Sequence, residues 1–369
     1  MPVVRVVAVV TPATGCGGKF MNANRCAWRM RWTAAVAVAV VTAGSLPGVA
    51  RAQPRATSGD WESYAVFDTL FMQRENQTND GPLVLDGDTQ AAAIATPDLQ
   101  FPTAPGIRAL YGQHGPAGLG WEIGYLGVYG MFADASAAGN GNLEIAPPLS
   151  SAVASLRGAS AARATYASVL NSAEANVLLT ERCFHRPRHS AYAAERIPCA
   201  FTVDWLAGFR WAGLDEQAAL AFGGSPASLA TGYAVRTSSN LFGGQLGVRG
   251  RADLQAWAVE GWVKAALAGS MLAQSQDPII DSITGDVYRS ARGSRTQTPG
   301  GIFDVGATLV YRLSDTWGLR FGYSMLWLTN VALAPDQFDF TADTEAGTRL
   351  DGNQTLWLGG ANLGLEARW

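Results

Sequence analysis

The side chains best equipped for chemistry are a few histidines and many carboxylates, and their spacing limits what they can do. His185 and His189 lie four apart between Cys183 and Cys199. Two thiolates and two imidazoles can hold a tetrahedral zinc ion, but this spacing departs from the common finger patterns. In an exported chain the pair Cys183 and Cys199 reads instead as a disulfide. Hydrolysis by acid–base or nucleophilic chemistry needs a histidine beside a serine or carboxylate. The chain has only three histidines, and His114, His185 and His189 all fall in short connections at one end of the architecture derived below. Gly-x-Ser-x-Gly and phosphate-cradling glycine motifs are absent. No catalytic residue and no enzymatic activity are therefore expected. Acidic pairs such as Asp86 and Asp88 are the places where Ca²⁺ could bind, although solvated loop carboxylates are the commoner outcome. No other cofactor or metal is expected.

The remaining charges recur at alternate positions. Glu62, Asp68, Arg108, Glu122, Glu174, Asp204, Arg210, Arg249, Glu260, Lys264, Asp304, Arg312, Arg320, Glu366 and Arg368 each stand among small residues, opposite a bulky apolar set. From Trp317 the odd positions read Trp317, Leu319, Phe321, Tyr323, Met325, Trp327, and the even ones Gly318, Arg320, Gly322, Ser324. Phe201, Val203, Trp205, Phe209 and Trp211 oppose Asp204, Gly208 and Arg210 in the same way, and Trp121, Ile123, Tyr125, Tyr129 and Met131 oppose Glu122 and Gly124. In a strand such sets point to opposite faces.

Composition narrows what these strands build. Of 369 residues only 15% are charged and 48% are apolar, with 42 Gly and 12 Trp. That is too apolar for disorder and too sparsely charged for a large soluble enzyme. The formal charge of −3 argues against nucleic acid as a partner. Residues 1–52 carry six basic and no acidic residues, an apolar run from Trp32 to Leu46 and an Ala50-Arg51-Ala52 cleavage pattern. They read as a secretory signal peptide with its upstream segment, followed by a short N-terminal stretch over 53–60. Beyond them no run is long and apolar enough for a spanning helix.

Aromatic spacing then selects a transmembrane β-barrel. Trp61 and Phe71, Phe201 and Trp211, and Trp317 and Trp327 are ten apart on one face, while Trp357 and Trp369 are twelve apart. Ten residues at ~3.3 Å each, tilted ~40°, climb about 25 Å, the height of an outer-membrane apolar band. With Trp121, these residues form the expected aromatic girdles at the two membrane interfaces. The pattern predicts an all-β, up-and-down antiparallel barrel over 61–369. Ten strands are expected at 61–73, 105–113, 119–133, 171–182, 200–214, 233–250, 254–269, 301–313, 316–331 and 354–369, or twelve if 134–170 hides a hairpin. The alternation slips phase near Ser239, which suggests a bulge. Connections at 114–118, 250–253 and 313–316 are short. Those at 74–104, 134–170, 215–232, 270–300 and 332–353 are long and carry the excess acid, Asp336, Asp339, Asp343, Glu345 and Asp351 among it. This predicts long outer loops, short periplasmic turns and both termini in the periplasm.

Several segments carry a resemblance. DWLAGFRW at 204–211, NLFGGQLGVR at 240–249, FGYSMLWLTNVALAPDQFD at 321–339 and TLWLGGANLGLEARW at 355–369 together resemble the planctomycete-type outer-membrane β-barrel family, also called the seventh beta-barrel porin family. The resemblance covers about 60–369. It implies an outer-membrane location and no established reaction, and it carries over no catalytic residues. Trp369 departs from the more frequent terminal Phe but still fits the aromatic signal of the barrel-assembly machinery, the one protein partner expected beside outer-membrane lipid.

Two readings of the inward charges remain. They could line a narrow pore that passes small, cationic solutes behind an acidic mouth. Alternatively they could pair and pack the interior shut, leaving a structural or surface-interaction barrel, since ten strands lie close to the number whose interior side chains fill.

Overall fold

The computed structural model describes residues 61–76, 78–115, 117–184, 200–224, 229–254 and 256–369. The expected signal peptide, the 53–60 stretch, His185, His189 and Cys199 lie outside these residues. Cys183 sits on a strand opposite Phe201, but the expected disulfide falls outside the described residues with its partner.

Ten long strands close into one antiparallel barrel. They are β1 (Glu62–Asn76), β4 (Ala104–His114), β5 (Leu119–Ile145), β6 (Ala159–Phe184), β7 (Ala200–Gly223), β8 (Leu229–Leu254), β9 (Trp257–Gln276), β12 (Arg292–Arg312), β13 (Trp317–Val331) and β14 (Gln354–Arg368). Each pairs with its neighbour in sequence, and the β1–β14 ladder, Tyr64 opposite Arg368 through Asn76 opposite Leu356, closes the ring. The short β2 (Pro82–Asp86) and β3 (Ala92–Ala95) extend the sheet above β4, and β10 (Ile279–Ile280) and β11 (Val287–Arg289) form a separate ribbon. The expected ten strands are all present. Both ends of the described barrel lie on one rim, where the Ser63 N–H donates to the Trp369 carbonyl at 2.8 Å. We call this the near rim and the opposite one the far rim.

Three of the connections expected to be long, 134–170, 215–232 and 270–300, are mostly wall. Strand β5 runs 27 residues, β6 and β8 26 each and β7 24, more than twice what a membrane requires. The segment 134–170, expected to be a loop or an extra hairpin, is the continuation of β5 and β6, joined by helical turns at Leu149–Ala152 and Ala154–Leu156. Past the membrane band the outward positions are Ala, Ser, Gln and Arg, so an apolar-out criterion ends these strands too early.

The same crossing explains the phase slip near Ser239. Strand β8 keeps an unbroken register with β7 and β9 through this region, so no bulge is present. What changes is the chemistry of the two faces. In the near half Phe242 and Leu246 face out and Gln245, Arg249 and Arg251 face in. In the far half Arg236, Ser238 and Asn240 face out, while Tyr233, Val235 and Leu241 are fully buried inside. Lipid outside demands apolar side chains there; above the lipid the strand obeys the ordinary rule of an apolar interior.

A real bulge lies elsewhere. At Tyr129–Gly130 the β5–β6 register shifts, and Gly130 takes φ +70°, open to glycine without the Cβ clash. It moves Met131, expected on the outer face, to a buried inner position.

The far half encloses one apolar core. Interior Leu70, Met72, Val128, Leu170, Leu214, Leu220, Leu326 and Leu358 meet Leu83, Ile94, Leu99 and Phe101 from the inserted 77–103 segment and Leu149 and Leu156 from the helical turns.

Candidate functional site

Twelve of the expected lumen charges converge in the near half. Asp68, Arg108, Glu122, Glu174, Asp204, Arg210, Arg249, Glu260, Lys264, Asp304, Arg320 and Glu366 are all inward and, apart from Glu174 at 8% side-chain exposure, belong to buried residues. Inward-facing Arg251 joins them: the sequence predicts a turn over 250–253, whereas β8 continues to Leu254. Glu62, Arg312 and Arg368 sit at the near rim and stay partly exposed.

Pairing is dense and crosses the barrel. Arg320 reaches Asp68 at 3.1 Å, Glu260 at 3.2 Å and Glu366 at 2.9 Å. Arg251 binds Glu366 at 2.7 Å and Glu260 at 3.3 Å, and Arg368 adds Glu366 at 3.3 Å. Arg249 pairs with Glu122 and, at 2.8 Å, with Asp204. Lys264 binds Glu174 at 2.6 Å and Glu122 at 3.4 Å, and Arg210 binds Asp304 at 3.0 Å. Arg108 lies 3.7 Å from Asp304 and 4.8 Å over the Trp262 ring. Trp262 points inward and donates its indole N–H to Asp304 at 2.7 Å, and its ring fills the space over Gly306. His114 is not in a turn: it ends β4, buried, stacked on Tyr64 and 3.4 Å from Asp204.

Buried ions lose their hydration and survive only when paired and hydrogen-bonded. Most of this lattice meets that requirement, through neutral partners as well, while Asp68 keeps one oxygen without a hydrogen bond. Tyr64 donates to Glu122 at 2.6 Å, Thr180 to Asp204 at 2.7 Å and Gln245 to Glu174 at 2.7 Å. What space remains between these groups is small. Two cavities of about 20 and 10 Å³ lie among Arg108, Glu174, Arg210, Trp262 and Asp304. Each is about one water in size. A larger cavity of about 450 Å³ opens at the near rim over His114, Asp204, Arg251 and Glu366.

A second polar centre, not foreseen from the sequence, lies in the far half. Arg74 and Glu216 were read as loop residues, but both side chains are buried, 2.6 Å apart. Tyr166 at 2.8 Å and Ser168 at 3.0 Å both donate to Glu216, while Arg74 lies 4.9 Å over the Phe101 ring. The loop joining β13 to β14, expected to be an acidic outer loop, turns inward over this centre. Its helical turn Ala334–Gln337 is the Ala-Pro-Asp-Gln element noted above, and Ala332, Leu333, Ala334, Pro335 and Gln337 are buried. The Ala334 N–H donates to Glu216 at 2.9 Å and the Ala332 N–H to Ser239 at 3.0 Å. Gln274 and Gln276 donate to the Arg349 and Gly347 carbonyls at 2.7 and 2.8 Å. Arg289 donates to the carbonyls of Asp339, Thr341 and Asp343. Phe338 and Phe340 pack against Tyr233. The loop is a cork in the far half of the barrel.

The expected interface aromatics face outward in two girdles. Trp61, Phe71, Phe201, Trp317, Trp327 and Trp369 are 41–59% exposed, and Trp121, Trp211 and Trp357 are half-buried on the same surface. Trp327 stands directly opposite Trp357 across β13–β14. Asp86 accepts from the Asp88 and Thr89 N–H groups and from Asn142, so it holds a turn. Among the described residues no group of three or more His, Cys, Asp or Glu is placed to hold a metal ion.

Residues 155–369 match the family model described as "Putative beta barrel porin-7". No curated protein matches the chain. Among solved structures, the outer-membrane protease OmpT of Escherichia coli is 12% identical with a TM-score of 0.46, covering 84% of this chain and 96% of its own. A major outer-membrane protein of Thermus thermophilus is 13% identical with a TM-score of 0.32, covering 84% and 99%. The Pseudomonas putida toluene transporter TodX is 10% identical with a TM-score of 0.22, covering 85% and 89%. None of these overlaps is tight enough to carry an argument about what this chain does.

Proposed function

This chain belongs to the beta barrel porin-7 family, a family of outer-membrane barrels, and from that premise we propose that it is a closed barrel of the outer membrane whose work lies at its far rim. The observation that carries this reading is the filled interior. Between the rims the near half is packed with paired ions around cavities of about 20 and 10 Å³, and the far half with an apolar core and the corked loop. A pore passing small cations needs a continuous aqueous path, and side chains of both signs that bind one another have no spare charge with which to select ions. The near-rim cavity of about 450 Å³ reaches inward to Arg249 and Glu260, which also line the cavity of about 20 Å³.

In this reading the near rim, with its short turns and the C-terminal aromatic strand, faces the periplasm and the assembly machinery. The tall walls of β5 to β8 raise the far rim toward the exterior, where it meets envelope or external partners. No reaction is assigned, for His114 ends β4 at the near rim, away from the far loops. Swelling of liposomes in small sugars and amino acids tests the proposal. Rates equal to those of protein-free liposomes are expected, and size-dependent swelling would overturn it.

A further inference from the structure

The cork carries a carboxylate that pairs with no cation among the described residues. Asp336 lies on the inserted turn Ala334–Gln337. Its Oδ1 accepts the Asn79 N–H at 2.9 Å, while its Oδ2 is buried without a partner. Around it stand Glu216 from β7, Tyr166 from β6 and Asp351 from its own loop, and Arg74 from β1 reaches Glu216 and Tyr166. Arg74, the cation of this centre, is taken up by Glu216, which also accepts from Tyr166, Ser168 and the Ala334 N–H. Ionising Asp336 therefore places a third carboxylate beside Glu216 and Asp351 in a half-buried site where one of its oxygens has no partner. When the loop swings out, the same carboxylate regains its hydration.

We propose that Asp336 makes the cork acid-tightened: protonated, it lets the 332–353 loop seat in the far half of the barrel, and ionised, it loosens that seat. The inference rests on the closed-barrel reading and adds a control to it. Burial, with Asp351 and Glu216 adding to it against the Asn79 hydrogen bond, pushes the Asp336 carboxyl up to about 6. A carboxyl raised in the docked state binds more protons there than in the released state. Docking is then strongest below the ordinary carboxylate range, weakens as pH rises toward 6, and is constant above it. About two pKa units set a ceiling of ~100-fold on the change in the docking equilibrium, and partial exposure lowers it.

Hydrogen exchange of the folded full barrel in bilayers, followed on peptides spanning 330–338, reads the docking directly, because the Ala332 and Ala334 N–H groups are held by Ser239 and Glu216. After correction for intrinsic exchange, opening should rise tens of fold (a fraction of that ceiling) from pH 4 to pH 7 in the wild type. It should be flat in Asp336→Asn, which keeps an oxygen for the Asn79 N–H, and should titrate again in Asp336→Glu. Flat exchange in the wild type, or an equal pH response in Asp336→Asn, overturns the switch and leaves the closed barrel standing. Amides unprotected at both pH values overturn the cork itself and the switch with it, while the near-half lattice is tested separately by liposome swelling.

Discussion

Replacing Arg320 with methionine distinguishes a dry interior from a wet one. The guanidinium is 1% exposed and bonds three carboxylates, Asp68, Glu260 and Glu366, from three other strands. Methionine keeps much of the packing and removes the charge and its donors. Arg251 and Arg368 still reach Glu260 and Glu366, but Asp68 loses its ion pair. In a packed interior, stranding a buried carboxylate costs about 3–5 kcal/mol. In a water-filled lumen the same pair behaves as a surface pair and is worth about 0–1 kcal/mol. Urea unfolding of the refolded barrel in thin bilayers, followed by tryptophan fluorescence, measures the difference. Asp68→Asn in the Arg320→Met background should recover roughly 2 kcal/mol, because the stranded charge is gone. A single variant within about 1 kcal/mol of the wild type, with no coupling to Asp68, would refute the packed lattice.

Three further outcomes follow from the same geometry. Alanine at Gly306 would put its Cβ 2.2 Å from the Trp262 ring, so Gly306→Ala should cost about 1–3 kcal/mol in urea and should cost almost nothing in a Trp262→Ala background. Arginine at outward Val263, 52% exposed and between the Trp317 and Trp327 rows, should cost about 2–4 kcal/mol, whereas Ala219→Arg, on the outer face of β7 beyond the band, should stay within about 0.5 kcal/mol. Replacing residues 333–351 by a short Gly-Ser turn should remove the cork yet leave the barrel impermeable in liposome swelling, because the near-half lattice does not depend on that loop.

The spanning half of the barrel was legible because lipid imposes a rule that sequence displays openly. Apolar side chains must face out, aromatics mark both interfaces, and the inner set is free to be charged. Ten strands, nine outward aromatics and twelve of the buried charges follow from that alternation. The far half was not legible by the same rule, since there the exterior is water. Arg236 and Ser238 outside and Val235 and Leu241 inside reverse the pattern of Phe242 and Arg249 on the same strand, and the reversal reads as a slip. Arg74 and Glu216 were assigned to loops for the same reason. Two local signals were available in hindsight. Ala-Pro-Asp-Gln is followed by Phe338 and Phe340, an apolar content that an exposed acidic loop does not need. Glycine at 130 followed by a change of phase marks the β5 bulge. The choice between paired and pore-lining charges was beyond the sequence, because it depends on which side chains meet across the barrel, such as Arg249 with Glu122, 127 residues apart.

The most direct test of the closed interior is single-channel recording of the refolded wild-type barrel in a planar bilayer under a salt gradient. The account predicts a folded, inserted and electrically silent protein at neutral pH. Discrete conductance steps with a cation-selective reversal potential would contradict it and would restore the narrow pore as the function of the charged lumen.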